Sequence, residues 1–332
     1  MSKQYHIYGI GAALVDTEIT LTDADLTTMA VAKGVMTLVD ETRHQQLIDY
    51  LRDHLVASHR ASGGSAANSI IAASYFGSNN FYSCKVANDE NGKFYLDDIA
   101  AAGVTTPSHI TPPQGITGKC LVMITPDAER TMNTFLGISE TLSVNELDPQ
   151  AIANSEYVYI EGYLVSSNTG RAAAVELRKI AQANNTRTAF SLSDPAMVQF
   201  FRDGLLEMIG EGVDLIFCNK DEAMGFTQTQ NIEQAGEALK KYCKQFAITC
   251  GGEGALVFDG TTLILVPGTP VKAVDTNGAG DMFAGAFLHA INHGKDFKTA
   301  AEFANLAAAK VVAQFGPRLK PEQHAELKKG FF

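Results

Sequence analysis

Four consecutive residues near the C-terminus, Gly278-Ala279-Gly280-Asp281, combine three small residues with a carboxylate. The apolar residues after them recur at helical spacing, so the four residues lie in the first turn of a predicted buried helix. Small residues leave the free N–H groups of that turn accessible, and these groups bind anions with the help of the helix dipole. A carboxylate beside such a site can take a proton from a hydroxyl group that attacks a bound phosphate. The alternative is that Asp281 is only a favourable charge at a helix N-terminus.

A second glycine-rich segment, Gly63-Gly64-Ser65, precedes a helix predicted over 65–76. Glycines in front of a helix let a ligand approach the backbone closely. Asn68 lies one turn inside the helix, where an amide can both donate to and accept from a polyol. Taken alone, a plain glycine turn before a helix is the more ordinary explanation of this segment.

Short apolar runs alternate with segments of helical period along most of the chain. Strands that are apolar on both faces and alternate with helices predict a mostly parallel sheet covered on both sides. Strands are predicted over 5–11, 157–160, 187–192, 213–218 and 246–249, and helices over 65–76, 91–102, 169–184, 196–209 and 231–244. Two further stretches, at about 13–40 and 110–137, read as strands without helices between them. They predict a small extra sheet inserted into one interleaved domain of residues 1–332.

Composition and charge exclude several classes of protein. The 332 residues include 26 Lys and Arg against 37 Asp and Glu, a net charge of −11, with 45% hydrophobic residues. Such a chain can form a large core, and it has no basic excess for binding nucleic acid. Five cysteines without a C-x-x-C pair predict neither a disulfide framework nor a zinc ribbon. We find no signal peptide and no long apolar run, and therefore expect a cytoplasmic protein without a membrane partner.

The segment Asp275-Thr276-Asn277 together with the following Gly-Ala-Gly-Asp resembles the C-terminal signature of the ribokinase-like (PfkB) carbohydrate kinases, and residues 63–77 resemble their N-terminal signature. The resemblance extends along nearly the whole chain. It implies a three-layer α/β/α sandwich with a mostly parallel central sheet and a small β-sheet lid over the acceptor site. This lid matches the helix-free stretches at 13–40 and 110–137.

The resemblance also implies roles for individual residues. Asp281 would be the base that activates the acceptor hydroxyl, and residues 278–280 would form the anion hole for the transferring phosphoryl group. Arg130 lies on the predicted lid, where a guanidinium could meet phosphates on closure, an ordinary exposed arginine being the alternative. In the family, an Asp at the position of Asp16 binds the hydroxyl groups of the acceptor. Gly11-Ala12 stands here where the family commonly has an Asn. The residues implied to bind the acceptor are Asp16, Gly64, Ser65, Asn68 and Arg130.

Two other segments resemble the nucleotide side of the family's site. The four residues from Asn219 to Glu222 resemble the family's N-x-x-E motif. The resemblance implies that Asn219 and Glu222 arrange Mg²⁺ and its waters, and Mg²⁺ prefers oxygen ligands. A strand-to-helix turn with an Asn cap is the structural alternative. The glycine turn at 249–255 resembles the family's ATP-binding turn, and a hairpin between two strands is the alternative. The residues implied to contact ATP are Thr249, Gly251, Gly254 and Asn219.

Segments at 33–36, 117–120, 129–132, 192–195 and 314–319 resemble the adenosine-kinase-like branch of the family. Its bacterial members act on adenosine, other nucleosides or simple sugars, so the acceptor stays open. We therefore expect ATP- and Mg²⁺-dependent phosphoryl transfer to a primary hydroxyl of a nucleoside or sugar by a monomer or homodimer, and many relatives also imply activation by K⁺. A sugar kinase of the ribokinase or fructokinase type is the alternative.

Three further hypotheses are weaker. A non-catalytic nucleoside or sugar sensor would be expected to lose the base or the anion hole, and this chain has both. A nicotinamide-dependent oxidoreductase requires a third glycine after Gly9-x-Gly11, where Leu14 stands instead. His289 and His293 have a spacing that could hold a metal, but surface or packing histidines are the more ordinary explanation.

Overall fold

The computed structural model describes residues 3–54, 59–127 and 129–332. Strands occur at β1 (Tyr5–Ile10), β2 (Leu14–Thr20), β3 (Met36–Leu38), β4 (His59–Gly63), β5 (Asn80–Ser83), β6 (Gly118–Ile124), β7 (Arg130–Phe135), β8 (Ser155–Glu161), β9 (Arg187–Ser191), β10 (Val213–Asn219), β11 (Cys243–Thr249), β12 (Gly254–Phe258) and β13 (Leu263–Pro267). Helices occur at α1 (Asp23–Thr28), α2 (Glu41–Tyr50), α3 (Ser65–Tyr75), α4 (Glu90–Ala101), α5 (Pro149–Ala153), α6 (Asn168–Ala183), α7 (Pro195–Ile209), α8 (Lys220–Thr227), α9 (Ile232–Leu239), α10 (Ala279–Asn292), α11 (Phe297–Val312) and α12 (Pro321–Lys328). None of the helices in these ranges is long and apolar enough to cross a membrane.

The central sheet has eight strands in the order β13-β12-β11-β10-β9-β8-β1-β5. It is parallel from β5 to β11, and β12 and β13 extend it as an antiparallel pair. Successive side chains of a strand point to opposite faces, so Tyr157 belongs to the core that residues of α3, α10 and α11 share, whereas Val158 belongs to the core that residues of α5 to α9 share. These two cores give the three α/β/α layers that the sequence predicts.

A second sheet has five strands in the order β3-β7-β6-β2-β4. One of its faces packs against α1 and α2 through residues such as Leu26 and Leu47, and the other carries Leu14, Cys120 and Met132. The predicted small sheet is therefore present, but it is not free of helices. The expectation of strands alone over 13–40 is wrong at α1, where the side chain of Thr22 caps the helix and Leu26 enters the core of this sheet. Strand β4 lies outside both predicted stretches.

The predicted strands of the central sheet begin and end within three residues of the observed ones, and four of the five predicted helices agree within one residue. The helix predicted over 231–244 is wrong at its C-terminal half, since α9 ends at Leu239. Cys243 already pairs with Val213 in the central sheet, and this strand pairing overrides the local helical pattern.

Helices α3 and α10 make a close contact on one face of the central sheet. A Cβ atom on Gly285 would overlap the backbone oxygen of Ser69 and lie 3.0 Å from the Cβ of Ala72. The glycine therefore determines how near the two helices can come.

We expect Gly285→Ala to lower the free energy of unfolding by about 1–3 kcal/mol, because the added methyl group must push the helices apart. Equilibrium urea denaturation measures the change. Gly225→Ala in α8 is the matched control, because its Cβ would meet a side-chain carbon, Cγ1 of Val198 at 3.1 Å, and would not overlap the backbone. Equal stability of the two variants would contradict the packing argument.

Candidate active site

A cavity of about 360 Å³ separates the second sheet from the carboxyl ends of the parallel strands. Ligand sites in parallel α/β sheets lie at these strand ends. Among the residues that the structure describes, the cavity wall includes every predicted site residue except Gly251 and Gly254. Distant parts of the sequence therefore meet in one place, with the second sheet on one side and the starts of α3 and α10 on the other.

Asp281 lies in the first turn of α10 at the floor of this cavity. Its Oδ1 accepts a hydrogen bond from the Ser65 hydroxyl at 2.6 Å, and its Oδ2 accepts one from the Asn68 amide at 3.0 Å. Burial raises the pKa of the Asp281 carboxyl, whereas these two donors and the positive charges of Arg130 and Arg318 lower it. Hydrogen bonds to both oxygens orient the carboxylate and stabilise its anionic form.

The backbone before Asp281 is shaped to accept an anion. Gly278 immediately precedes α10, and its φ of 71° lies in the left-handed region that favours glycine. A side chain at this position would also overlap the backbone of Pro317. Apart from its own helical turn, no atom of the described residues lies within 4 Å of the position that a Cβ on Gly280 would take, so the first turn of α10 stays open to the cavity there. The buried carboxylate of Asp275 holds the preceding loop by accepting from the N–H groups of Asn277 and Gly316, at 2.8 and 2.9 Å.

The second sheet contributes two predicted residues. Asp16 in β2 is buried, and burial raises its pKa to about 7 even though Arg318 and Arg130 act in the opposite direction. Arg130 at the start of β7 donates from Nη1 to Oδ1 of Asn277 at 2.5 Å, so it reaches from this sheet to the residue just before Gly278. The Nε of Arg130 is buried and has no hydrogen-bond partner among the described residues. Arg130 itself lines the cavity, where its guanidinium brings a positive charge.

Asn219 and Glu222 form a reciprocal cap at the start of α8. Oδ1 of Asn219 accepts from the N–H of Glu222 at 2.8 Å, and Oε2 of Glu222 accepts from the N–H of Asn219 at 3.0 Å. Asn219 is therefore the helix cap that the sequence offered as the structural alternative for this motif. The buried carboxyl group of Glu222 nevertheless lines the cavity. Burial raises the pKa of Glu222 to about 8, and the neighbouring charges of Asp194 and Asp221 act in the same direction. A divalent cation would relieve this unfavourable charge, so the residues present fit Mg²⁺.

No group of three or more His, Cys, Asp or Glu side chains within residues 3–54, 59–127 and 129–332 could hold a metal ion by itself. His289 accordingly takes the packing role: its Nδ1 bonds to the hydroxyl of Ser78 at 2.8 Å, and its ring packs against Phe76 and His293. Only the water-mediated type of Mg²⁺ site, with few protein ligands, is compatible with Asn219 and Glu222.

The predicted nucleotide turn is the hairpin between β11 and β12, in which Thr249 pairs with Ala255. Thr249 lines the cavity, whereas Gly251 and Gly254 lie beyond it. The hairpin itself explains Gly254, whose φ is 105° and whose Cβ would overlap the backbone of Val266. Contact of these residues with ATP stays a prediction.

The structure adds functional candidates that sequence reasoning missed. Glu161, at the end of β8, accepts from the N–H groups of Ala12 and Ala66 at 3.3 and 2.7 Å, and burial raises its pKa to about 7. Asp194 caps α7 and accepts from the hydroxyl of Tyr163 at 3.2 Å. Both carboxylates lie just after a buried strand, which is a signal that could have indicated the strand-end site. Five apolar side chains of the second sheet and of the residue after β7 also line the cavity, and only Met36 and Met132 lie in segments that carry the family resemblance: Leu14, Met36, Leu38, Met132 and Leu136.

Comparisons with known proteins agree with this arrangement. The sequence profile described as pfkB family carbohydrate kinase matches residues 39–324. The structure of adenosine kinase from Sinorhizobium meliloti is similar with a TM-score of 0.91 and 32% identity, covering 98% of this chain and 99% of that one. A probable sugar kinase from Rhizobium etli CFN 42 has a TM-score of 0.92 and 29% identity, covering 99% and 100%. Adenosine kinase from Saccharomyces cerevisiae is 27% identical over 279 residues, 79% of this chain and 81% of that protein. The predicted ribokinase-like fold is confirmed.

The raised pKa of Asp16 predicts a pH-dependent stability. A carboxyl that is harder to ionise in the folded protein contributes stability at low pH that is lost as the pH rises from its unfolded value toward about 7. We therefore expect Asp16→Asn, which cannot ionise, to raise the Tm of the ligand-free protein at pH 8. The gain should disappear toward pH 4. Calorimetry across this pH range measures both Tm curves, and parallel curves would contradict the argument.

Proposed function

The chain belongs to the pfkB family of carbohydrate kinases, and we propose that it transfers the γ-phosphoryl group of ATP to a primary hydroxyl group of a nucleoside. Family membership makes it a carbohydrate or nucleoside kinase. The observation that carries the proposal is the pairing of Asp281, held by two hydrogen bonds, with the open N-terminus of α10 beside it. A carboxylate base and an anion site in contact are what phosphoryl transfer to a hydroxyl group requires.

The chemical step follows from this placement. The acceptor hydroxyl lies against Asp281, which takes its proton as the oxygen forms a bond to the γ-phosphorus and the bond to the β-phosphate oxygen breaks. ADP leaves with the electrons of that bond. The N–H groups at residues 278–280 and the guanidinium of Arg130 stabilise the negative charge on the transferring group. Mg²⁺, held through water by Asn219 and Glu222, would supply charge neutralisation on the phosphates of ATP.

The wall of the cavity favours a nucleoside over a free sugar. Asn68 and Glu161 at the floor and Asp16 in β2 offer polar groups that suit the hydroxyl groups of a ribose. The second sheet and Leu136, which follows β7, add five apolar side chains to the wall: Leu14, Met36, Leu38, Met132 and Leu136. A nucleobase has flat apolar faces that such a wall can cover, whereas a free sugar would leave the wall facing water. Phosphorylation of a simple sugar is the second candidate, supported by the similarity to a probable sugar kinase.

The presence of both Asp281 and the open N-terminus of α10 argues against a non-catalytic sensor. A binding protein gains nothing from a buried carboxylate next to an anion site, because the carboxylate weakens anion binding. Activation by K⁺ and the monomeric or homodimeric state stay predictions from the family resemblance.

We expect Asp281→Asn to lower kcat by roughly 10²–10⁴, the range for losing a general base, with little change in the Kd for acceptor. A coupled ADP-release assay over adenosine, inosine, guanosine, ribose, fructose and fructose 6-phosphate measures turnover, and calorimetry measures acceptor binding. Asp203→Asn, which removes an exposed carboxylate from α7, is the control and should match the wild type. Wild-type turnover in Asp281→Asn would overturn the mechanism.

The apolar wall gives a separate test of the acceptor class. We expect Leu136→Ala to raise the KM for a nucleoside about 10-fold, since removing roughly 1.4 kcal/mol of apolar contact weakens binding by that factor. The KM for ribose or fructose should be nearly unchanged. Leu263→Ala in β13, outside the cavity, is the control. A wild-type enzyme that phosphorylates sugars and no nucleoside would establish the second candidate instead.

A further inference from the structure

Arg318 connects three separate elements around the predicted base. It lies in the loop between α11 and α12, and only 15% of its side chain is exposed. Its Nε donates to Oδ1 of Asn68 in α3 at 3.1 Å, its Nη1 to Oδ2 of Asp98 in α4 at 2.9 Å, and its Nη2 to Oγ of Ser62 in β4 at 3.0 Å. Each nitrogen of the guanidinium group thus has its own partner, so the arginine has one defined orientation.

The contact with Asn68 determines which way its amide points. A guanidinium can only donate hydrogen bonds, so the amide oxygen must face Arg318. The amide nitrogen then faces Asp281 and donates to Oδ2 at 3.0 Å. A flipped amide would place its oxygen against the carboxylate and its nitrogen against the guanidinium, which is unfavourable on both sides. Arg318 therefore selects the orientation that Asp281 requires.

Asp98 holds Arg318 in this place. Burial alone would raise the pKa of Asp98, but the charge of Arg318 and the hydrogen bond from Ser62 lower it below its usual value. The ion pair leaves the arginine charged and anchored to α4. The charges of Arg318 and Arg130 also lower the pKa of Asp16, Glu18 and Asp281.

We propose that Arg318 is a positioning residue for phosphoryl transfer: it locks the amide of Asn68 so that Asp281 is held anionic and aligned with the acceptor hydroxyl. The inference rests on the proposed function, because it assigns Asp281 the role of base. It goes beyond that function by placing part of the catalytic geometry in a loop that follows α11.

Two substitutions separate the hydrogen bonds of Arg318 from its charge. Arg318→Met removes both, and we expect kcat to fall about 10²-fold, as misplacing a reacting group does. The acidic limb of its pH–rate profile should move to higher pH by roughly one unit, because Asp281 loses a positive neighbour and its aligned amide. Arg318→Lys keeps the charge but has no fork of donors, so kcat should fall while the acidic limb stays near the wild-type position.

Arg60→Met is the matched control. Arg60 lies two residues before Ser62 and also contacts α4, through Glu90 and Asn91, whereas its hydrogen bonds do not include Asn68. The proposal expects wild-type kcat and pH profile for this variant. If Arg318→Met shows only a lower Tm, with wild-type kcat and acidic limb, the arginine is a structural tie and the proposal is overturned.

A measurement without turnover distinguishes this inference from the proposed function. The carboxyl carbon of Asp281 is followed by NMR during a pH titration, and its resonance is assigned as the one missing from Asp281→Asn. An unchanged titration midpoint in Arg318→Met overturns the positioning role, whether or not an acceptor is phosphorylated. A raised midpoint in a protein that phosphorylates none of the acceptors supports the positioning of Asp281 and overturns the proposed function instead. Arg318→Lys serves if Arg318→Met does not fold, and wild-type kcat in that variant overturns the positioning role as well.

Discussion

The close contact between α3 and α10 is the packing constraint on which the site depends. Gly285 lets the two helices approach because it presents no Cβ to the backbone of Ser69. At the cavity end of the same contact, Ser65 and Asn68 lie against the two oxygens of Asp281. One helix thus supplies the anion site and the carboxylate, and the other supplies the donors that hold the carboxylate. A shift between the helices would misalign base and acceptor together.

The protein as a whole is negatively charged, whereas the proposed function requires the site to bind an anion. A net charge of −11 cannot attract ATP, which is itself a polyanion. Asp16, Glu18 and Glu161 lie within or beside the cavity, and burial raises the pKa of each to about 7. Near neutral pH a substantial fraction of these groups is therefore uncharged in the ligand-free protein. The anion site is left to the start of α10 and to Arg130, which can act at short range.

The predictions that succeeded depend on local patterns. The 278–281 motif correctly predicted a helix with Asp281 in its first turn, and the alternation of strands and helices indicated the three layers correctly. The failures have physical reasons in tertiary contacts. The helix predicted to end at 244 stops at Leu239 because Cys243 pairs with β10, and α1 forms within 13–40 because Leu26 has a core to enter. The left-handed backbone of Gly254 follows from the hairpin, and contact of Gly251 and Gly254 with ATP stays a prediction.

By itself, the sequence determined the family resemblance, the layered fold and the chemical types at the site, because residue types and spacing reflect local backbone geometry. Only the tertiary structure decided which groups face each other. Arg318 is 250 residues from Asn68 in the chain, and Glu161 is 95 residues from Ala66, yet each pair is joined by a hydrogen bond. The apolar part of the cavity wall, which includes Leu14, Met36 and Met132, likewise exists only when the second sheet covers the ends of the parallel strands. Such contacts depend on the packing of whole elements, which no local pattern encodes.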